Sequence, residues 1–259
     1  MNTKPLLVLA PHQDDEVLGL GVHLAQWAKT TPIFVYFTSN GAPDQTIHPD
    51  RYPKLDCLTD SAYAARRFAE ARTVLAALSD NAVARVNPFP SQSLVDRVEN
   101  LTDSLAQLIS ELQPHTVIVP ALEGAHPDHD ATAVAAQLAI SGASFPVSSM
   151  EYPIYTLASS VTKFNEPYNG GIAFVHALNS EEATQKRNLM KLYATQRGDA
   201  FLASFLQAMS QEVLQPLRFD AIKRLREQKN NPPYYSLNKN IRSSVDYVHD
   251  KLLRALHAR

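Results

Sequence analysis

Short apolar runs alternate with longer stretches of helical spacing through the first half of this chain. Leu6–Ala10 is wholly apolar, the pattern of a strand buried on both faces. Residues 17–29 repeat apolar positions at helical intervals. Residues 33–38 return to a strand pattern that ends in the turn-forming Ser39-Asn40-Gly41-Ala42-Pro43. Asp60–Leu78, rich in Ala, Arg and Leu, predicts a long helix, and 94–112 predicts another, closed by Pro114. Residues 116–119 form the next strand, after which Asp130 is placed to cap a helix over 131–140. Further on, 148–155 and 171–176 read as strands, and 180–196 as a helix with a Ser/Glu start signal. A break at 228–235, around Asn231-Pro232-Pro233, precedes a last helix whose apolar stripe is Val245, Val248, Leu252 and Leu256.

Alternation of this kind predicts an α/β fold, a mostly parallel sheet with helices on both faces. In such sheets, sites form at the carboxyl ends of strands. Two polar clusters stand there: His12-Gln13-Asp14-Asp15-Glu16 after the first strand, and His126-Pro127-Asp128-His129-Asp130 after the strand at 116–119. The topology therefore predicts that segments more than a hundred residues apart meet in one crevice. Residues 44–56, with two prolines and few apolar side chains, read as a loop beside it.

Composition narrows the class. The chain has 259 residues, 45% hydrophobic and 19% charged, enough apolar material for one large domain or two small ones. The one cysteine, Cys57, excludes an intramolecular disulfide and suits a reducing compartment. Only Lys4 precedes the first short apolar run, and no run approaches the roughly 20 residues that span a bilayer. A cytoplasmic protein is expected. Net charge is −2, yet residues 217–259 carry ten Lys/Arg against four Asp/Glu, a local +6 that leaves −8 on the rest. This basic segment reads either as a solvated helical face or as a holder of a phosphate-bearing substrate or acidic partner. No zinc-finger spacing or other recognisable motif points to nucleic acid. Gly19-Leu20-Gly21 lies inside a helix and lacks a third glycine, which argues against a dinucleotide enzyme.

The clusters themselves carry the chemistry. Two histidines and one carboxylate are a common catalytic zinc set, with a fourth position left to water. His12 and Asp15, three residues apart where strand turns into helix, can face one ion, and His129 can supply a third ligand. Asp14 would then lie toward the water as a base, and His126 would supply an imidazolium to stabilise the oxyanion and protonate the leaving amine. Asp128 is placed in sequence to orient one of the rings. Helix capping alone would explain the acids of the first cluster but not His12.

These residues also resemble a known family. Ala10-Pro11-His12-Gln13-Asp14-Asp15-Glu16, followed by Leu18-Gly19, is similar to the opening signature of the LmbE-like (PIG-L) N-acetylglucosaminyl deacetylases. Glu123-Gly124-Ala125-His126-Pro127-Asp128-His129-Asp130-Ala131 resembles their second signature. Softer likenesses are Thr38-Ser39-Asn40-Gly41, Arg67-Phe68-Ala69-Glu70-Ala71, Lys186 and Tyr193-Ala194-Thr195-Gln196. The resemblance covers about residues 4–200. It implies a Rossmann-like fold; the chain is expected to divide into a deacetylase domain over 1–216 and, outside the resemblance, a basic, mostly helical extension over 217–259 packed on it. It also implies zinc, with Fe²⁺ a possible substitute because the ligand types accept both. On this reading His12, Asp15 and His129 hold the metal, and Asp14 is the general base. His126 is the electrostatic stabiliser or general acid with Asp128 as its orienting partner, and Arg67 contacts substrate hydroxyls. The implied reaction is removal of an N-acetyl group from an amino sugar or glycoconjugate.

Two positions depart from the pattern. Gln13 replaces the family's usual proline, and Gly124 stands where relatives in mycothiol biosynthesis carry a tyrosine, which argues against a mycothiol-type substrate. The competing readings are an amidase acting on another acyl, carbamoyl or thioconjugate group with the same site, and a non-catalytic sugar-binding protein.

Overall fold

The computed structural model describes residues 4–42, 60–124, 126–158, 161–167, 173–197, 200–228 and 245–258. The loop expected at 44–56 lies outside them, as does nearly all of the break at 228–235. At the centre are β1 (Leu6–Ala10), β2 (Ile33–Phe37), β3 (Ala82–Val86), β4 (Thr116–Pro120) and β5 (Ser148–Tyr152). All five are parallel, in the order β3-β2-β1-β4-β5. β9 (Gln211–Pro216) and β8 (Phe174–Ala177) extend the sheet beyond β5 to seven strands through antiparallel pairings. A separate hairpin joins β6 (Tyr155–Ala158) to β7 (Val161–Phe164). The expected α/β fold with a mostly parallel sheet is what the chain adopts.

Helices cover both faces, and the period-two alternation of β1 divides the core between them. Leu7 and Leu9 join α3 (Val98–Leu112), α4 (Pro127–Ser141), α7 (Ala221–Gln228) and α8 (Val245–His257) on one side. Leu6, Val8 and Ala10 join α1 (Asp15–Trp27), α2 (Asp60–Leu78), α5 (Ser180–Met190) and α6 (Ala200–Ala208) on the other. Val248 and Leu252 of the stripe read from sequence are fully buried against the first of these layers.

Several boundaries differ from the sequence reading for local reasons. α4 starts at Pro127 rather than 131, and its cap is His126, whose ring accepts the Asp128 N–H. Proline suits that first turn because its missing N–H would have no partner there. Asp130, expected as the cap, instead accepts the Gly124 N–H at 3.0 Å. α1 likewise begins two residues early, at Asp15. The strand expected over 148–155 is cut at Pro153, which has no N–H for a ladder. The helix expected over 180–196 ends at Met190; Tyr193 then leaves helical geometry to bury its ring, and a short 3₁₀ turn, Ala194–Gln196, follows. β3, β9, α6 and the hairpin were not foreseen. β9 reads as polar because Glu212 and Gln215 are buried beside polar partners rather than exposed.

Those partners bind the sheet edge to the helices. Glu212 accepts from Lys186 at 2.8 Å, contacts His23 Nδ1 at 2.6 Å, and accepts the Val22 and His23 N–H groups. Burial alone would raise its pKa, but the Lys186 charge and the His23 and Lys186 hydrogen bonds prevail and lower it from 4.5 to about 2. On the opposite face, buried Arg224 of α7 pairs with Glu151 of β5 at 2.9 Å and donates to the Leu122 carbonyl at 2.8 Å. Other cations of the basic segment also face carboxylates: Arg218–Asp220, Lys223–Glu227, Lys251–Asp96 and Arg254–Asp250.

The Glu212 pKa is depressed on folding, so its contribution to stability is full above about pH 4.5 and is lost as pH falls toward 2. Glu212→Gln leaves the Lys186 ammonium buried without a counter-charge, and a loss of about 3–5 kcal/mol is expected at neutral pH. Urea denaturation across the acid range checks both parts: the variant should be less stable at pH 7 and flatter in its dependence between pH 4.5 and 2.

Candidate metal centre and active site

β1 and β4 are neighbours in the sheet, although α1, β2, α2, β3 and α3 intervene in the chain. Their shared carboxyl end is the point where strand order reverses, the usual place for a site in such sheets. Both polar clusters emerge there. His12, Asp14 and Asp15 come from the β1–α1 turn, and His126, Asp128 and His129 from the start of α4. The three histidine rings form a triangle, with centroids 4.8 Å apart for His12–His126 and 5.4 Å for each of the other pairs. Arg67 reaches the same place from α2.

Asp15 Oδ2 lies 3.2 Å from His12 Nδ1 and 3.3 Å from His129 Nε2. A tetrahedral ion with bonds of about 2.0 Å sets its ligand atoms about 3.3 Å apart, and both separations from Asp15 Oδ2 match that spacing. His12 Nε2 is meanwhile 3.0 Å from Asp128 Oδ2. Burial would lower the His12 pKa, but hydrogen bonds to Asp128 and Asp15, with their charges, override it and raise the value to about 10. Burial would likewise raise both carboxylates, yet the two imidazoles draw Asp15 far down, and the His12 bond helps bring Asp128 to about 2. Two ionised carboxylates thus flank a point that demands positive charge, and the donor set fits a divalent cation.

A second grouping, His12, His126 and Asp128, also has its ligand atoms within 4.8 Å of one another. It is the poorer site. Asp128 already accepts from Gln92 N–H at 2.5 Å, Leu94 N–H at 3.2 Å and Ser91 Oγ at 3.3 Å, in addition to His12. Those bonds and the His12 contact occupy the Asp128 carboxylate. The ring its carboxylate contacts is that of His12, whereas the family resemblance pairs it with His126. The loop supplying the amides follows β3, so overlooking that strand hid the role of Ser91 and Gln92.

His126 differs from its neighbours. Burial and the His12 charge push its pKa well below the usual histidine value. Its Nδ1 accepts the Asp128 N–H at 3.1 Å, so the neutral ring carries its proton on Nε2. Asp14 is raised to about 6, chiefly by burial and against the pull of Arg67, whose guanidinium lies 3.3 Å away. Arg67 is itself 5% exposed and donates to the Gln13 carbonyl at 2.5 Å, so it serves the β1–α1 turn as much as it faces the cleft. Gln13 fills the position of the missing proline by donating to the Ser39 carbonyl at 3.0 Å. Gly41, at φ 76°, admits this packing: a Cβ there would stand 2.0 Å from Gln13 Oε1. Gly124 also has a positive φ, 71°, a conformation a tyrosine would adopt only with strain.

An aromatic ring stands beside the cluster: Tyr155 meets His129 edge-on at 5.5 Å. Tyr155 opens the hairpin strand β6, an element the sequence pattern did not disclose.

Comparison with known proteins adds independent findings. The family model described as GlcNAc-PI de-N-acetylase, PIG-L, matches residues 7–140. No curated protein matches the chain. Among solved structures, the A40926 pseudoaglycone deacetylase Dbv21 is 24% identical with TM-score 0.63, covering 83% of this chain and 97% of that one. A zinc-inhibited form of teicoplanin deacetylase Orf2 is 21% identical with TM-score 0.60, covering 82% and 97%. The N,N'-diacetylchitobiose deacetylase from Pyrococcus horikoshii is 15% identical with TM-score 0.59, covering 83% and 84%. At these identities the structures establish a shared fold. The family match spans more than half of the sequence and takes in both histidine clusters: the chain belongs to the PIG-L, or LmbE-like, deacetylase family.

Proposed function

We propose that this protein is a metal-dependent N-deacetylase that hydrolyses the acetamide of an amino sugar or glycoconjugate, with zinc as the metal. The observation that carries the reading is the convergence of His12 Nδ1, Asp15 Oδ2 and His129 Nε2 beside the Asp14 carboxylate. The deacetylases that share the fold act on sugar-bearing molecules by their names, which supports the substrate class. No helix among the described residues is long and apolar enough to cross a membrane.

A divalent cation held by the three ligands supplies Lewis acidity, polarising an amide carbonyl and acidifying water. The chain's own residues do the rest. Asp14 takes the proton of the attacking water, and burial gives it a pKa of about 6, suited to accepting a proton near neutrality and releasing it again. Arg67 holds the Asp14 carboxylate to one side of the cleft. His126, neutral with its proton on Nε2, donates to the oxygen that gains charge as the carbonyl becomes tetrahedral. That role needs no imidazolium, in contrast to the sequence expectation. The proton held by Asp14 is then available to the departing amine. Asp128 fixes the His12 ring through Nε2 and keeps Nδ1 directed at Asp15.

Acetate release from a panel of N-acetylated amino sugars tests the proposal. Asp14→Asn should retain metal and lose turnover by about 10²–10⁴-fold; wild-type turnover in the variant would remove Asp14 as the base. A panel that yields no acetate from folded, metal-loaded protein would redirect the reading to another acyl group. Metal binding has its own check. Zinc should raise the thermal midpoint of chelator-treated protein, and Asp15→Asn should abolish that increment in calorimetry because the central ligand is lost.

A further inference from the structure

Asp14 is held from two directions by residues of a segment far along the chain. Its backbone has φ 151° and ψ −26°, a conformation that non-glycine residues rarely adopt and that costs about 1–3 kcal/mol. Such a residue keeps its geometry only if its surroundings enforce it. Its N–H is shared between the His12 carbonyl and Glu16 Oε2, each at 3.1 Å. Glu16 is fully buried, and its other oxygen accepts the Tyr193 hydroxyl. Tyr193 is also fully buried, in the bend between α5 and the 3₁₀ turn.

The same bend fixes the second support of Asp14. The Thr195 hydroxyl donates to Glu70 Oε2 at 2.6 Å, and the Thr195 N–H donates to Glu70 Oε1 at 3.1 Å. Gln196 Nε2 donates to the Tyr63 hydroxyl at 3.2 Å. Glu70 and Tyr63 lie on α2 to either side of Arg67, the residue that faces the Asp14 carboxylate. Backbone and side chain of Asp14 are therefore both referred to residues 193–196.

We infer that Tyr193 and Glu16 are positioning residues for Asp14, and that the 193–196 bend braces the general base through Glu16 on one side and α2 on the other. This rests on the assignment of Asp14 as base. Helix capping by Glu16 does not account for the arrangement, because capping requires no buried phenol 177 residues away on its second oxygen. Displacing a base by a fraction of an ångström costs turnover rather than substrate affinity.

Tyr193→Phe keeps the ring and removes only the hydroxyl. In the zinc-loaded full chain, the variant is expected to lower kcat by about 10- to 100-fold with KM changed less than about twofold. Bound zinc should stay at the wild-type stoichiometry, and hydrogen exchange at the Asp14 amide should accelerate at least about tenfold. Thr195→Val, at a partly exposed position, tests the second arm by the same measurements should the buried variant fold poorly. Unchanged kcat and unchanged amide protection in a folded variant would overturn the inference. So would a parallel loss of zinc, which would mark the bend as support for the metal ligands instead. If the wild type releases no acetate from any substrate, the deacetylase reading falls, and amide exchange alone still decides whether Tyr193 holds Asp14.

Discussion

One imidazole joins the two halves of this site. His12 leaves β1 with a carboxylate on each nitrogen, Asp15 from its own turn and Asp128 from the start of α4. The interaction exists only because β1 and β4 are adjacent in the sheet. It accounts for much of what surrounds it: the loop after β3 folds back to give Asp128 its amides, the β2 turn closes on Gln13, and α4 begins early so that its cap can be a histidine. With a carboxylate on each nitrogen, the His12 ring is held toward its charged form.

Much of this was legible in the sequence. The apolar runs at 6–10 and 117–119 read as interior strands, and strand ends in parallel sheets locate sites; hence the sequence places both clusters at neighbouring strand ends, as the fold does. What sequence withheld was of two kinds. β9 escaped because buried polar residues defeat hydropathy: Glu212 and Gln215 look exposed until Lys186 and Glu151 are found opposite them. The partner of Asp128 escaped for a different reason. His126 lies two residues before it and His129 one after, whereas the ring it contacts, His12, comes from 116 residues away.

The basic C-terminal segment shows the same limit from the other side. Its excess charge suggested a surface for phosphate, yet Arg224 is withdrawn into the interior, where it joins β5 to the loop that follows β4. Lys251 and Arg254 meet carboxylates within the fold. A count of charges along a chain says nothing about which are consumed internally. Here a buried arginine contributes to the net charge as fully as a solvated one while offering nothing to a ligand.

The hydrogen-bonded pairing of β1 with β4 has a consequence for how such a site endures. Adjacent strands stand about 4.8 Å apart whatever their side chains, because the backbone sets that distance. The two clusters are thus held at a separation fixed by the peptide unit itself, a ruler that sequence drift does not alter. Tyr155 and its hairpin, beside the clusters, lie outside that sheet and are under no such constraint. The catalytic gauge and the substrate mould are therefore separately variable, and a lineage can recast the second many times over without having to recalibrate the first.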